Sequence, residues 1–117
     1  MRFQGKKALV TGAAGGIGKS IVRKLRAEGA SVAITDITIG NVEAEAHFPG
    51  DLSSAQFCDE LPSKARDALG GLDILINNAG IIRRGKITEV TDDDFKSTIA
   101  VNIEAPFRLC RSTIPIM

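Results

Sequence analysis

The stretch that decides the fold is Lys7-Ala8-Leu9-Val10-Thr11-Gly12-Ala13-Ala14-Gly15-Gly16-Ile17-Gly18. Its first five residues form a short apolar run suited to a strand. The glycine-rich remainder is too flexible for a strand or a helix interior. From Ile17 the period changes: Ile17, Ile21, Val22 and Leu25 share one helical face, with Lys19, Arg23, Lys24 and Arg26 opposite. A strand, a glycine turn and an amphipathic helix, in that order, make a βα unit.

The alternation continues outward. Gly29 ends the helix, and Ser31 to Thr35 reads as a second strand closing on Asp36. Between Asp36 and Asp51 there is no room for a full helix plus a strand, so we expect a loop or helical turn and then a strand within Glu45 to Phe48. Ser53 or Ser54 caps a helix carrying Phe57, Leu61, Ala65 and Ala68 on one face. Pro62 is expected to kink or restart it, and Gly70-Gly71 to stop it. Leu72 to Asn77 reads as a fourth strand covered on both faces. Asn78-Ala79-Gly80 is a turn and Ile81 to Val90 a loop. Thr91 before three aspartates starts a helix. Phe95, Ile99, Ile103 and Phe107 predict a broad buried face on that helix, running past Pro106 to near Cys110. The expected fold is α/β: the N-terminal portion of a Rossmann-like doubly wound parallel sheet, with about four strands and the fourth beside the first.

Composition bounds the function. With 117 residues, one domain over 1–117 is expected. Fifteen Lys and Arg against 14 Asp and Glu leave no basic excess for nucleic acid or an acidic membrane. Cys58 and Cys110 stand alone with one distant His, so no metal cluster can be written. Lone thiols fit a reducing, cytoplasmic setting. No apolar run is long enough to span a bilayer, and the N-terminus does not read as a signal peptide. His47 has no partner that suggests a role.

The glycine turn has the context a phosphate loop needs. Gly12 permits the sharp turn, Gly16 lets backbone approach a pyrophosphate, and Gly18 brings helix and strand close. Gly18-Lys19-Ser20 mimics the end of a mononucleotide loop, but Ala13 stands where that loop requires glycine. A ligand-free βα turn is the plainer reading of the glycines alone. Asp36, 18 residues after Gly18 at the end of the second strand, points instead to a dinucleotide whose adenosine ribose it accepts hydrogen bonds from. A carboxylate there favours NAD over NADP, and Gly15 and Ile37 offer no cation to a 2′-phosphate.

Thr11-Gly12-Ala13-Ala14-Gly15-Gly16-Ile17-Gly18, Asp51-Leu52, Asn77-Asn78-Ala79-Gly80 and Val101-Asn102, in this order, resemble the motifs of the short-chain dehydrogenase/reductase family. The resemblance implies an NAD(H)-dependent oxidoreductase moving a hydride between the nicotinamide and a secondary alcohol or ketone. It implies that Gly12, Ala14, Gly16 and Ile17 line the pyrophosphate and nearby ribose, with Gly18 closing the loop. Asp36 then holds the adenosine ribose, with Ile37 beside the adenine and Asp51 and Leu52 against it. Asn78, Ala79 and Gly80 pass under the nicotinamide ribose, and Val101 packs nearby. Asn102 is the one catalytic residue it assigns, interrupting its helix locally and holding a water in a proton relay. It also implies a homo-oligomer, a dimer or tetramer built partly on the Thr91–Cys110 helix. Arg83 and Arg84 follow the turn where a substrate enters, in a stretch similar to sugar-acid dehydrogenases, and a guanidinium there can fork onto a carboxylate. A solvated loop or subunit contact is the plainer reading of both. The lean Asp36–Asp51 segment is similar to that of dihydrodihydroxybenzoate dehydrogenases.

The chain departs from the family in one respect. It contains no Tyr, the residue whose phenol exchanges the proton in that chemistry, lowered from about 10 by a Lys four residues on. The expectation is therefore a cofactor-binding half that stops before the Ser and Tyr-x-x-x-Lys part. The alternatives are a catalytically inactive, truncated dinucleotide-binding module and a member of the epimerase-like relatives.

Overall fold

The computed structural model describes residues 1–117. Four parallel strands, β1 (Lys7–Thr11), β2 (Ser31–Thr35), β3 (Ala46–His47) and β4 (Ile74–Ile76), form one sheet in the order β3-β2-β1-β4. Helices α1 (Gly16–Ala27), α2 (Ala55–Leu69), α3 (Asp92–Ile99) and α4 (Ala105–Thr113) complete it, with a π-helical turn, Ala100–Glu104, joining the last two. Short 3₁₀ turns occur at Ile87–Glu89 and Ile114–Ile116.

Side-chain alternation along the strands divides the core between the two faces. Ala8, Val10, Val32 and Ile34 pack with Val22 and Leu25 of α1. Leu9 and Ala33 pack on the other face with Cys58, Leu61 and Ala65 of α2 and Ala105 and Leu109 of α4. Both faces of the sheet are thus covered, as an all-parallel sheet requires. The first two strands fall where the sequence places them, and β3 lies within Glu45–Phe48. β4 is shorter than Leu72–Asn77 and its three residues are only half buried, because one edge is open. Its residues nonetheless meet both cores, Ile74 and Ile76 on one side and Leu75 on the other.

Three expectations change. First, α2 does not restart at Pro62 but runs through it as one helix. The missing N–H removes one helical bond, but burial of Cys58, Leu61, Pro62 and Ala65 on the sheet carries the helix on. Second, Ala68 faces solvent, and Leu69 packs into the core in its place. Ser54 is the cap, its hydroxyl accepting from Phe57 N, and Gly70 ends the helix in the left-handed conformation. Third, the Phe95–Phe107 face is not buried. Phe95 is 60% exposed, Ile103 60% and Phe107 59%, while α4 buries Ala105, Leu109 and Thr113. A spacing of four marks an apolar stripe but not the neighbour that covers it, and the π turn rotates α4 relative to α3.

Candidate functional site

Parallel strands point their carboxyl ends one way, and the loops leaving β1, β2, β3 and β4 enclose a cleft of about 360 Å³ at that end. Gly12, Gly15, Gly16, Ile17 and Gly18 form its floor, and Asp36 and Ile37 one rim. Gly50, Asp51 and Leu52 form a wall beside that rim. Asn78, Ala79, Gly80, Ile81 and Val101 form the opposite wall.

The glycines differ in what holds them as glycine. Gly12 has φ +63°, and a Cβ there would lie 2.8 Å from Ala79 Cα. A Cβ on Gly18 would collide with Gly12 O and lie 2.8 Å from Asn78 Nδ2 and 2.9 Å from Ala13 Cα. Both are packing requirements. Gly16 has neither a positive φ nor any atom within 4 Å of its Cβ position. Its lack of a side chain serves the open cleft, not the protein interior. Gly15 at the N-cap of α1 supplies no side-chain acceptor, so the first-turn N–H groups and the positive end of the helix dipole are left to the cleft.

Thr11 joins floor and far wall. Its hydroxyl donates to Ile76 O at 3.4 Å and accepts from Asn78 N at 3.1 Å and Ala79 N at 3.0 Å. The Asn78 amide adds a bond from Nδ2 to Gly12 O at 3.1 Å. Asp36 is equally fixed: Oδ2 accepts from Ala14 N at 3.0 Å and Oδ1 from Ile37 N at 2.8 Å. Each carboxylate oxygen keeps a second acceptor direction for a ligand hydroxyl. Ala14 is not part of the lining; its place is behind Asp36, as the donor that orients it.

Asn102 lies in the π turn, where helical bonding is locally displaced. Its amide pairs with one backbone unit in both directions, Nδ2 to Ile81 O at 2.8 Å and Ile81 N to Oδ1 at 2.8 Å. It borders the cleft through Ile81, and its Oδ1 lies 3.5 Å from the Cβ position of Gly80. Arg83 and Arg84 are exposed and outside the cleft lining, and Arg83 makes a 3.7 Å ion pair with Asp94 at the start of α3. That contact fits a tether for the Ile81–Val90 loop. No group of three or more His, Cys, Asp or Glu is arranged to hold a metal. His47 gives its Nε2 to Val42 O at 2.8 Å, at the edge of the sheet. Burial pushes the Cys58 thiol up from its ordinary value, and the charge of Asp59 adds to that rise, so this thiol is no nucleophile.

Sequence reasoning misses Gly15, Gly50 and Ile81 in the lining and the role of the Thr11 hydroxyl. A signal was present for Thr11, a hydroxyl at the last position of a strand before a glycine turn. For Gly50 the signal was its place directly before Asp51-Leu52.

The model of the short chain dehydrogenase family matches residues 6–117. The chain belongs to that family. It is 40% identical to an uncharacterized oxidoreductase of Thermotoga maritima, over all of this chain and 50% of that protein. It is 33% identical to the 2,3-dihydro-2,3-dihydroxybenzoate dehydrogenase of Bacillus subtilis, over 98% of this chain and 48% of that enzyme. Among solved structures, a short chain dehydrogenase from Burkholderia cenocepacia in complex with NADP superposes with a TM-score of 0.95 at 33% identity, covering all of this chain and 53% of that one. The chain thus spans about half the length of the curated relatives it matches.

Proposed function

We propose that this short-chain dehydrogenase chain is the dinucleotide-binding half of an NAD(H)-dependent oxidoreductase that acts on a secondary alcohol or ketone. The observation that carries the reading is Gly16, whose open Cβ position beside uncapped helix N–H groups has a use only when a phosphate approaches. On this reading Gly12, Gly16, Ile17 and Gly18 cradle the pyrophosphate, and Asp36 accepts the adenosine ribose hydroxyls with Ile37, Asp51 and Leu52 around the adenine. Asn78, Ala79, Gly80 and Val101 support the nicotinamide end. The bound nicotinamide supplies the hydride acceptor or donor. Asn102 fixes the Ile81 peptide that borders the reacting end, and the proton-transfer hydroxyl comes from outside these residues, which contain no Tyr. Arg84 is the candidate for an anionic group on the substrate, since Arg83 is engaged by Asp94.

NAD is favoured over NADP because a 2′-phosphate would meet the Asp36 carboxylate, which two backbone N–H groups hold at the rim. The solved neighbour that carries NADP makes this a point to test directly. Replacing Asp36 with Ala should weaken NAD by about 1.5–3 kcal/mol, the range for a hydrogen bond to a charged group, and narrow its preference over NADP. Calorimetric dissociation constants for both cofactors that do not move in the variant would refute the assignment.

The missing Tyr favours a second reading, a dinucleotide-binding module without turnover of its own. NAD reduction by the 117-residue chain in the presence of any secondary alcohol rules that reading out. We also propose a dimer or tetramer of the chain, supported by the exposed Phe95, Ile103 and Phe107 stripe. No helix is long and apolar enough to cross a membrane.

A further inference from the structure

The wall formed by residues 50–52 is seated on the beginning of α2, and two side chains there determine where it stands. Gly50 N donates to Asp36 O at 3.0 Å, which ties the wall to the rim. From below, Cys58 Sγ donates to Leu52 O at 3.2 Å, and Ser54 N donates to Asp51 O at 3.0 Å. Between these anchors the Phe57 ring fills the volume a side chain on Gly50 would need. A Cβ built there would lie 2.8 Å from Phe57 Cε2 and closer still to Cε1 and Cζ. Gly50 has no positive φ, so backbone strain gives no reason for glycine. The ring is the reason. The ring is also engaged elsewhere, because Phe57 is half-buried and packs against the cluster that contains Cys58 and Leu61.

We propose that Phe57 is a positioning residue and Gly50 its obligate partner. Their contact sets the distance between the 50–52 wall and the Asp36–Ile37 rim, and with it the affinity for the nucleoside end of the ligand. The inference rests on the dinucleotide reading above. It follows from close packing: a short wall pinned by three hydrogen bonds and packed on one ring shifts when that ring contact is enlarged or slackened. Enlarging it pushes the wall or the ring, and shrinking the ring removes the packing beneath Gly50 while the Cys58 and Ser54 bonds to Leu52 and Asp51 remain.

The test uses the intact chain with two probes, NADH and reduced nicotinamide mononucleotide, which lacks the adenosine. Gly50→Ala should weaken NADH about tenfold and leave the mononucleotide unchanged by NMR titration. Phe57→Leu, which adds no clash, should weaken NADH in the same direction and also spare the mononucleotide. The double variant Gly50→Ala/Phe57→Leu should recover most of the loss, since the smaller side chain admits the new methyl. Unchanged NADH affinity in both single variants overturns the proposal. So does an equal loss for both probes, which is what a general disturbance of the fold would give, or a double variant no better than Gly50→Ala. A parent chain that binds no dinucleotide overturns the functional reading itself, whereas a parent that binds while the variants match it overturns only this pairing.

Discussion

Two glycines two positions apart in the same turn are glycine for different reasons. At Gly18 an added methyl meets the backbone of Gly12 and Ala13, which cannot yield without shifting the turn. Gly18→Ala should therefore lower stability by about 1–3 kcal/mol, the usual cost of overpacking, read as a lower denaturation midpoint. At Gly16 the methyl meets nothing. Gly16→Ala should melt no lower than the parent, and slightly higher if the reduced freedom of the unfolded chain is felt, yet lose dinucleotide affinity in a titration. Equal melting losses in the two variants would contradict the distinction. The sequence makes these residues legible as a loop, since glycines after an apolar strand and before a periodic helix have few other uses. It does not separate packing glycines from open ones, because that depends on how the turn folds back on Gly12 and Ala13 and on the approach of Asn78, 60 positions downstream of Gly18.

At the scale of elements, the shortest strand is held by a charge. β3 has two residues, and Glu45 just before it fixes the start. Its backbone N–H donates to Val32 O at 2.9 Å while its carboxylate accepts from Val32 N at 2.7 Å and from Arg26 Nε at 3.0 Å. Partial burial pushes the Glu45 carboxyl up, but the Val32 N–H and the Arg26 guanidinium outweigh it and hold the group below the usual carboxylate range. A depressed pKa contributes stability that is complete above the unfolded value and lost as pH falls through the folded one. Glu45→Gln should accordingly melt lower than the parent at pH 7, with the difference vanishing as the solution is acidified below the ordinary carboxylate range. A difference independent of pH would show that the charge is not what matters. Strands β1 and β2 are legible because apolar runs end at Thr11 and at Asp36 with clear turn chemistry after them. Pro62 misleads because local preference argues for a break, while burial on the sheet, a tertiary effect, decides for continuity. The π turn at Ala100–Glu104 has no signature in hydrophobic spacing; it is fixed by Asn102 reaching across to Ile81.

For the whole molecule, apolar groups are left in solvent at several places, among them Ile17, Ile37, Ile82 and Ile87, and three others share one helical stretch. Phe95, Ile103 and Phe107 lie along one helical rod, and β4 leaves one edge of the sheet without a partner. Association of the chain in solution is the expected result. Phe95→Glu with Phe107→Glu should shift the sedimentation profile toward monomer while leaving the melting temperature within a few degrees, because these rings contribute little to the interior. A parent chain that is already a monodisperse monomer would contradict this expectation. The sequence supplies the apolar period of this rod. The direction it faces is a property of the packed molecule, set by Ala105 and Leu109, which α4 buries in the core it shares with α2.

The Thr11 hydroxyl bonds to residues 65, 67 and 68 positions downstream, and Ala8 pairs with Ile74. During synthesis on a ribosome, β1 and the glycine turn emerge early but wait for Ala79 before the floor and far wall of the cleft are joined. Nascent chains stalled at increasing lengths should gain the joined cleft in one step once that residue clears the exit tunnel. Ligand capture would then report completion of the central pairing, and a cell holding ample dinucleotide would favour chains that had reached it.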